Sequence, residues 1–448
     1  MLPYLFTLSV AAADLPGLSV EEQATDVAVL RQALDAWHPG LTLYASPEAI
    51  DTAFAEAVAQ LRPGATALEL WSELSRVVAL LGCTHTVVSL RSDHWEALGE
   101  TLFPLDLVVV DDVLYVDPRS HPGPIRAIDT LEGMPGTELL EALRDRMSSD
   151  GGARSHRDSQ IDRVGRIGVT GVLGSRASWT VQTRDAEGTV HTEVLPGTAT
   201  RRTLHDPPHR RRVDRADGVA VRTIGVADFA DSEWGSRRRM ASIRRKAARV
   251  DALVIDLRGN GGGRTQSLLD LFALFASEPF DPYTIGWTRQ GERFRWTLAP
   301  PGFLPSGAPT VAYAMPVASF YPTVQPDRRA LSLPLVLIVD GSTGSSASDL
   351  AAFLQATGRA RVVGAESASG RWIQNCEAYD SITLPKSRLH VRIPLIALAT
   401  ADEAGRGHGV VPEVPVQPSI EDLAVGRDVV LERAVAEARA RVTGDGAP

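Results

Sequence analysis

The chain has 448 residues, of which 44% are hydrophobic and 23% are charged, and its net charge is −9. This composition is typical of a soluble globular protein with two or three domains, and the negative charge argues against a general binder of nucleic acid or anionic membranes. Only two of the 46 basic residues are lysine, Lys246 and Lys386. Because arginine does not lose its proton in proteins, a catalytic lysine would have to be one of these two.

Three helices are predicted in the N-terminal region, residues 14–99. Each begins at a capping motif, and apolar residues follow at helical spacing. The capping motifs are Ser19 with Glu22, Ser46 with Pro47, and Thr66 with Glu69. Ahead of them, residues 2–10 are apolar and end in three alanines, as in a secretory signal, although the usual basic residues before the apolar run are missing. We expect a signal peptide over residues 1–13 and a periplasmic or secreted protein, with an ordinary apolar N-terminus as the alternative.

A β-rich region is predicted over residues 100–213. Asp111-Asp112 joins two apolar runs as a hairpin, and residues 125–143 favour a strand, a glycine turn and a helix. The polar residues 148–160 are typical of a loop, residues 178–195 of a second hairpin, and residues 196–215 of a linker. Arginines cluster in this linker and again at 237–249. Either cluster could bind an anionic partner, but a solvated linker and the wet face of a helix are the favoured interpretations.

An α/β domain is predicted over residues 214–448. Buried strands are expected at 250–257, 334–340 and 359–364, and helices at 264–276 and 350–358. Alternation of strands and helices predicts a layered α/β architecture. The chain has no apolar run of 18 or more residues, so a membrane span is not expected.

Residues 259–263 form a glycine-rich loop after the first of these strands. The third glycine of a dinucleotide-binding pattern would fall on Arg264, and there is no phosphate-binding GxxxxGK sequence. Consecutive glycines at a strand end leave backbone N–H groups open to a close guest, for which an oxyanion is well suited. A plain flexible connection is the alternative.

The turn after the second strand contains Ser345, Ser346 and Ser348 at the start of a helix. A helix N-terminus suits a nucleophile whose product is an oxyanion, although serine is also a common helix cap. The pattern is not the G-x-S-x-G elbow, because Ser348 occupies the last glycine position.

A serine nucleophile needs a base, and four residues are candidates. Lys246 is predicted on a surface helix and Lys386 in a loop between strands. His85 opens a predicted strand after a helix-ending glycine, and glycines flank His408. A single histidine is more often structural or exposed than catalytic, so the residues alone leave this choice open.

Four segments together resemble the serine peptidase family that includes carboxy-terminal processing peptidases, the tricorn core peptidase and the repeats of interphotoreceptor retinoid-binding protein. They are LGCTHTVV, VDALVIDLRGNGGG, PLVLIVDGSTGSSASDLAAFLQATGRARVVGAESASG and GVVPEVPVQPSIEDLAVGRD. The resemblance spans most of residues 20–435 and is weakest over 100–213. It implies a crotonase-like layered α/β core, an N-terminal helical region and a degenerate PDZ-like module over 100–213.

The resemblance also implies the central site residues. The nucleophile falls on Ser346, and the oxyanion donors are the backbone N–H groups of Ala347 and Gly262. One branch of the family uses a lysine as base at the position of Arg371, and arginine cannot act in that way. The tricorn-like branch uses a histidine, and that position is His85.

Further residues of the site are expected around His85. The resemblance implies Thr84 as its polar partner and Glu403 as the acid that orients it, with Asp402 and Glu366 as rivals and His408 as a supporting residue. It also brings Cys83 and Cys376 close to the site, either as a disulfide after export or as packed thiols. Neither cysteine has zinc-site spacing, and the expected chemistry needs no metal or organic cofactor.

The sequence therefore predicts an exported serine peptidase that acts on polypeptides. A catalytically silent protein on the same fold, which binds peptide tails or apolar ligands, is the alternative. An acyl-CoA enzyme of the crotonase type is less favoured, because Ser346-Ala347-Ser348-Asp349 and the N-terminal helices have no place in that resemblance.

Overall fold

A computed structural model describes residues 17–199, 212–300 and 302–444, so the expected signal peptide and most of the predicted linker lie outside the described residues. The helices are α1 Val20–Trp37, α2 Pro47–Ala59, α3 Ala67–Leu80, α4 Ser92–Leu98, α5 Gly136–Arg144, α6 Arg154–Leu173, α7 Glu233–Ala247, α8 Thr265–Phe275, α9 Gly291–Phe294, α10 Val317–Phe320, α11 Ser346–Ala356, α12 Ile420–Val425 and α13 Val429–Thr443. None of the described helices is long and apolar enough to cross a membrane.

The strands form three sheets. They are β1 Val87–Ser89, β2 Leu107–Val110, β3 Val113–Val116, β4 Ala127–Leu131, β5 Met134–Pro135, β6 Ser178–Arg184, β7 Val190–Pro196, β8 Val213–Ala216, β9 Val219–Gly225, β10 Ala252–Asp256, β11 Ile285–Thr288, β12 Tyr313–Ala314, β13 Leu335–Val339, β14 Arg361–Gly364, β15 Ile373–Thr383, β16 His390–Ala399 and β17 Val414–Pro415.

The main sheet has the order β17-β14-β13-β10-β9-β8 and is parallel except for β8. Strands β10 and β13 are buried along their whole length, as their unbroken apolar runs predict. Helices α7, α8 and α11 share the core on one face, and α13 packs on the other. This arrangement confirms the layered α/β prediction and brings the ends of β10 and β13 to one edge of the sheet.

The second sheet joins the N-terminal helices to the C-terminal half of the chain. Strand β16 pairs with β1, β11 and β15, and α1, α2 and α3 share a core with apolar residues of the β15–β16 hairpin. At the hairpin turn, Asp26 of α1 accepts the backbone N–H groups of Lys386 at 3.0 Å and Ser387 at 2.7 Å. The N-terminal helices are thereby held against the C-terminal half of the chain.

The third sheet has the order β2-β3-β4-β6-β7, with β5 beside β4, and packs against α5 and α6 around its own core. The predicted hairpins are confirmed, and Asp111 and Asp112 adopt the positive φ values of 48° and 61° that a tight two-residue turn requires. The three N-terminal helices and their caps are also confirmed.

Two predictions over residues 148–215 were wrong. Part of the expected polar loop belongs to α6, whose apolar residues Ile161 and Val169 pack on the third sheet despite the intervening arginines and glycines. The expected linker also ends earlier, because β8 already begins at Val213. In both places long-range packing outweighed the polar composition that favoured irregular structure.

Candidate active site

Ser346 is the first residue of α11 and lies at the end of the turn that follows β13. Its side chain is 3% exposed, and its hydroxyl donates a hydrogen bond to the carbonyl of Gly263 at 3.0 Å. The preceding residue, Ser345, has φ 49° and ψ −129°, a conformation that glycine tolerates better. Its N–H donates to the hydroxyl of Ser369 at 2.7 Å, which helps to hold this strained turn.

The glycine-rich loop packs directly on the Ser345–Ser346 turn. Gly262 has φ 100°, and a Cβ atom there would lie 2.6 Å from the Cβ of Ser345 and 2.9 Å from the nitrogen of Ser346. No atom lies within 4 Å of the corresponding position at Gly261. The two loops predicted to form the site therefore meet backbone to backbone. Of Gly261 and Gly262, only Gly262 must be glycine for steric reasons.

Both predicted oxyanion donors are engaged within the protein. The N–H of Gly262 donates to the side-chain oxygen of Asn260 at 2.8 Å, and the N–H of Ala347 donates to the carbonyl of Gly344 at 2.9 Å. Asn260 is fully buried, and its amide nitrogen donates to Val226. An incoming oxyanion would have to replace Asn260 and Gly344 as acceptors.

His85 lies in the loop between α3 and β1 and is 7% exposed. Its Nδ1 atom is 3.1 Å from the hydroxyl of Thr84, the partner that the resemblance implied. Burial, assisted by the positive charges of Arg392 and His156, lowers the pKa of His85 to about 3. The imidazole is therefore neutral at physiological pH, with a lone pair on one ring nitrogen. Among the described residues no hydrogen bond joins it to Ser346, whose hydroxyl is bound to Gly263 instead.

Asp150 is a member of the site that sequence reasoning missed. It is 2% exposed and accepts hydrogen bonds from the N–H of Thr84 at 2.7 Å, the hydroxyl of Thr84 at 3.1 Å and the N–H of Gly370 at 3.0 Å. Burial raises its pKa to about 6, and these hydrogen bonds act in the opposite direction. No sequence signal marked this residue, because an aspartate in a polar stretch is ordinarily exposed.

The other acids proposed from the sequence lie elsewhere, and none contacts His85 through a hydrogen bond within the described chain. Glu403 is exposed in a short 3-10 turn. Asp402 forms an ion pair with Arg371. Glu366 accepts the N–H of Gly409 at 2.9 Å and lies 3.4 Å from Nδ1 of His408.

Three positions were considered for a lysine base, and the first of them, Lys246, lies in the last turn of α7. Arg371 pairs with Asp402 and donates to the side-chain oxygen of Gln355 at 3.0 Å. Lys386 lies in the turn between β15 and β16, where its backbone binds Asp26 of α1. Cys83 and Cys376 are free thiols, so the structure contains the packed-thiol alternative rather than a disulfide.

A second buried carboxyl, Asp349, lies in the first turn of α11. It accepts the hydroxyl of Tyr283 at 2.6 Å and the side-chain amide of Gln374. Burial raises its pKa to about 7, although the bond from Tyr283 acts in the opposite direction. The first turn of the helix that carries Ser346 thus contains a buried carboxyl group with a pKa near neutral pH.

A cavity of about 560 Å³ lies beside the strand that follows His85. Thr84 and Thr86, on either side of the histidine, form part of its wall, and β1, α3 and α6 supply most of the rest. Its apolar lining includes Trp71, Val78, Val88, Leu90, Trp95, Met147, Val164 and Ile167. This volume would accommodate a large apolar side chain.

Comparisons with known proteins agree with the motifs. Residues 221–416 match the model of peptidase family S41. The structure of mature CPAF has a TM-score of 0.65 and 13% identity, covering 96% of this chain and 99% of that one. The structure of CPAF complexed with lactacystin has a TM-score of 0.64 and 13% sequence identity, and the match covers 95% of this chain and 99% of that one. The photosystem II D1 C-terminal processing protease has a TM-score of 0.43 and 15% sequence identity, and the match covers 90% of this chain and 96% of that one. At this TM-score the likeness in shape supports no argument.

No curated protein matches the chain in sequence. The likeness to CPAF concerns the fold, and the match over residues 221–416 concerns the family. Together they confirm the resemblance to the S41 peptidases.

Proposed function

We propose, from the match to peptidase family S41, that this chain hydrolyses peptide bonds with Ser346 as nucleophile and His85 as base. The observation that carries the proposal is the contact between the two loops: the strained turn before Ser346 packs on Gly262, at a helix N-terminus. Such strain accumulates at functional sites. The neutral, buried imidazole of His85 supplies a proton acceptor.

The mechanism begins with a change of hydrogen-bond partner. The hydroxyl of Ser346 leaves the carbonyl of Gly263 and donates to Nε2 of His85, which takes the proton as the oxygen attacks the substrate carbonyl. The N–H groups of Gly262 and Ala347 then hold the tetrahedral oxyanion. The imidazolium returns its proton to the leaving amine, and a water molecule, activated by His85, releases the acyl group from Ser346.

The architecture of the proposed enzyme follows the resemblance. The main sheet with α7, α8, α11 and α13 is the crotonase-like catalytic core of residues 214–448, and the third sheet with α5 and α6 is the degenerate PDZ-like module of residues 100–213. The helical region, residues 14–99, contributes the base. The signal peptide at 1–13 would deliver the enzyme to the periplasm or the medium.

Polypeptides with a large apolar residue near the scissile bond are the proposed substrates. The cavity beside Thr84 and Thr86 supports this preference, because its wall includes both neighbours of His85 and is mostly apolar. A peptide library that varies the residues around the scissile bond tests it, and cleavage that is indifferent to apolar residues would contradict it.

A fluorophosphonate probe, which labels activated serines, tests the function. Wild-type protein should be labelled, Ser346→Ala should not, and Ser342→Ala should react like wild type because Ser342 is in the same turn but outside the proposed machinery. Lactacystin, found in complex with CPAF, is a second probe. Labelling that persists in folded Ser346→Ala would contradict the assignment of the nucleophile.

A catalytically silent binding protein is the second candidate. One observation favours it: the hydroxyl of Ser346 and both oxyanion donors are already hydrogen-bonded within the chain. Folded wild-type protein that binds peptides but neither hydrolyses a peptide library nor reacts with the probe would establish this candidate and exclude the peptidase.

A further inference from the structure

We propose that Asp150, supplied by the segment between α5 and α6, is the residue that positions His85, acting through the hydroxyl of Thr84. The inference rests on the proposed function and extends it, because it replaces Glu403 as the acid behind the histidine. Asp150 does not touch the reacting atoms in this arrangement, so it is a positioning residue and not a catalytic one.

The contacts of Thr84 carry the argument. Its backbone N–H and its hydroxyl both lie within hydrogen-bond distance of one oxygen of Asp150, at 2.7 and 3.1 Å, and the same hydroxyl is 3.1 Å from Nδ1 of His85. Asp150 is 2% exposed, so water does not compete strongly for these bonds. The three groups therefore form a continuous chain from the carboxylate to the imidazole.

The direction of these hydrogen bonds selects the tautomer of His85. An ionised carboxylate only accepts, so the hydroxyl proton of Thr84 must point toward Asp150. The oxygen of Thr84 is then an acceptor toward the ring, and Nδ1 of His85 carries the proton. This leaves the lone pair on Nε2, the form that a general base needs.

The same carboxylate connects the histidine loop to the nucleophile turn. Its second oxygen accepts the N–H of Gly370, the residue after Ser369, whose hydroxyl holds the N–H of Ser345. The neighbouring Gly151 donates to the carbonyl of Gly82 at 3.2 Å. Asp150 thus contacts the neighbour of the proposed base directly, and it is linked through Gly370 and Ser369 to Ser345, the residue before Ser346.

The negative charge of Asp150 acts on the titratable groups around it. Burial raises the pKa of Tyr44, Cys83, Cys376 and Asp349, and the negative charge of Asp150 raises each further. Arg406 acts on Tyr44, and Arg392 and His156 act on His85. If Asp150 is protonated, its proton can turn toward Thr84, whose own proton then faces Nδ1 and favours the wrong tautomer. Activity should therefore fall as the pH drops through the pKa of Asp150, about 6.

The experiment compares Asp150→Asn, Thr84→Val and Thr84→Ser with wild type and with Asp145→Asn, an exposed acid of the same segment. Asp150→Asn and Thr84→Val should lower kcat about 100-fold with KM changed less than threefold, since base catalysis contributes 10²–10⁴-fold. Thr84→Ser should retain activity because it keeps the hydroxyl. The loss of activity near pH 6 should disappear in Asp150→Asn.

A spectroscopic readout separates this inference from the proposed function. Nitrogen NMR of the imidazole, assigned with a His85→Gln variant, should give the Nδ1–H tautomer in wild type and a mixture in Asp150→Asn and Thr84→Val, whether or not any peptide is cleaved. Two results would overturn the role of Asp150. One is an unchanged tautomer of His85 in both variants, and the other is an active Asp150→Asn enzyme with the kcat and the pH profile of wild type. An inactive wild type with the expected tautomers would instead refute only the peptidase.

Discussion

The hydroxyl of Ser346 donates to the carbonyl of Gly263 at 3.0 Å, although the two residues are 83 positions apart in the chain. This bond joins the turn of Ser346 to the glycine-rich loop and engages the hydroxyl proton that the proposed mechanism transfers to His85. In the proposed mechanism this bond must break before Ser346 can donate its proton to His85.

Gly262→Ala should lower the activity of the protein, whereas Gly261→Ala should not. A Cβ atom at Gly262 would lie 2.6 Å from the Cβ of Ser345 and would also be strained at φ 100°, while the same atom at Gly261 meets nothing within 4 Å. We expect a loss of about 5- to 150-fold in kcat/KM for Gly262→Ala, since strain of roughly 1–3 kcal/mol falls on the turn that carries Ser346. Comparable losses in both variants would show that loop flexibility matters more than this contact.

Base replacement should distinguish histidine from lysine. His85→Ala should slow fluorophosphonate labelling by about 100-fold or more, and Lys386→Ala should leave it unchanged. Adding Arg371→Lys to His85→Ala should not restore labelling, because Arg371 is held by Asp402 and Gln355. Recovery of labelling in the double variant would revive a serine–lysine pair.

His38 should make the protein less stable in acid. Burial, assisted by Arg289, lowers its pKa from 6.5 to about 3. A lowered histidine pKa means that its full contribution to stability is present above pH 6.5 and is lost progressively as the pH falls toward 3. The free energy of unfolding of His38→Gln, relative to wild type, should therefore rise by on the order of 2 kcal/mol between pH 7.5 and 4.5.

Urea unfolding at the two pH values measures this change, and His408→Gln is the control because its side chain is 65% exposed. If His38→Gln and His408→Gln show the same pH dependence, then His38 is not buried in its neutral form.

The contribution of Asp349 to the stability of the protein should depend on pH in the opposite direction to that of His38. Its pKa is raised from 3.8 to about 7 by burial, so its contribution to stability is fully present below pH 3.8 and is lost as the pH rises through 7. The free energy of unfolding of Asp349→Asn, relative to wild type, should rise by on the order of 3 kcal/mol between pH 4 and pH 8. Asp145→Asn is the exposed control, and a flat difference for Asp349→Asn would contradict a buried carboxyl at this site.

Much of the fold could be predicted from local sequence. The helix caps at Ser19 and Thr66, the Asp111-Asp112 turn and the apolar runs of β10 and β13 each depend on near neighbours or on simple burial, and all are confirmed. Helix α6 was missed because its apolar residues are interrupted by arginines and glycines, so the helical pattern emerges only when the third sheet covers one side.

Some features of the candidate site could likewise be predicted from local sequence, and others depend on long-range contacts. The loops of Ser346 and His85 could be recognised from the sequence, because unusual backbone conformations demand particular residues, glycine above all, at particular positions. Long-range contacts that no local pattern predicts place Asp150 beside Thr84, bring the side chain of Asn260 to the N–H of Gly262 and leave Glu403 exposed. An aspartate in a polar segment becomes buried only when distant backbone N–H groups replace the water around it, and no local pattern records which residues those will be.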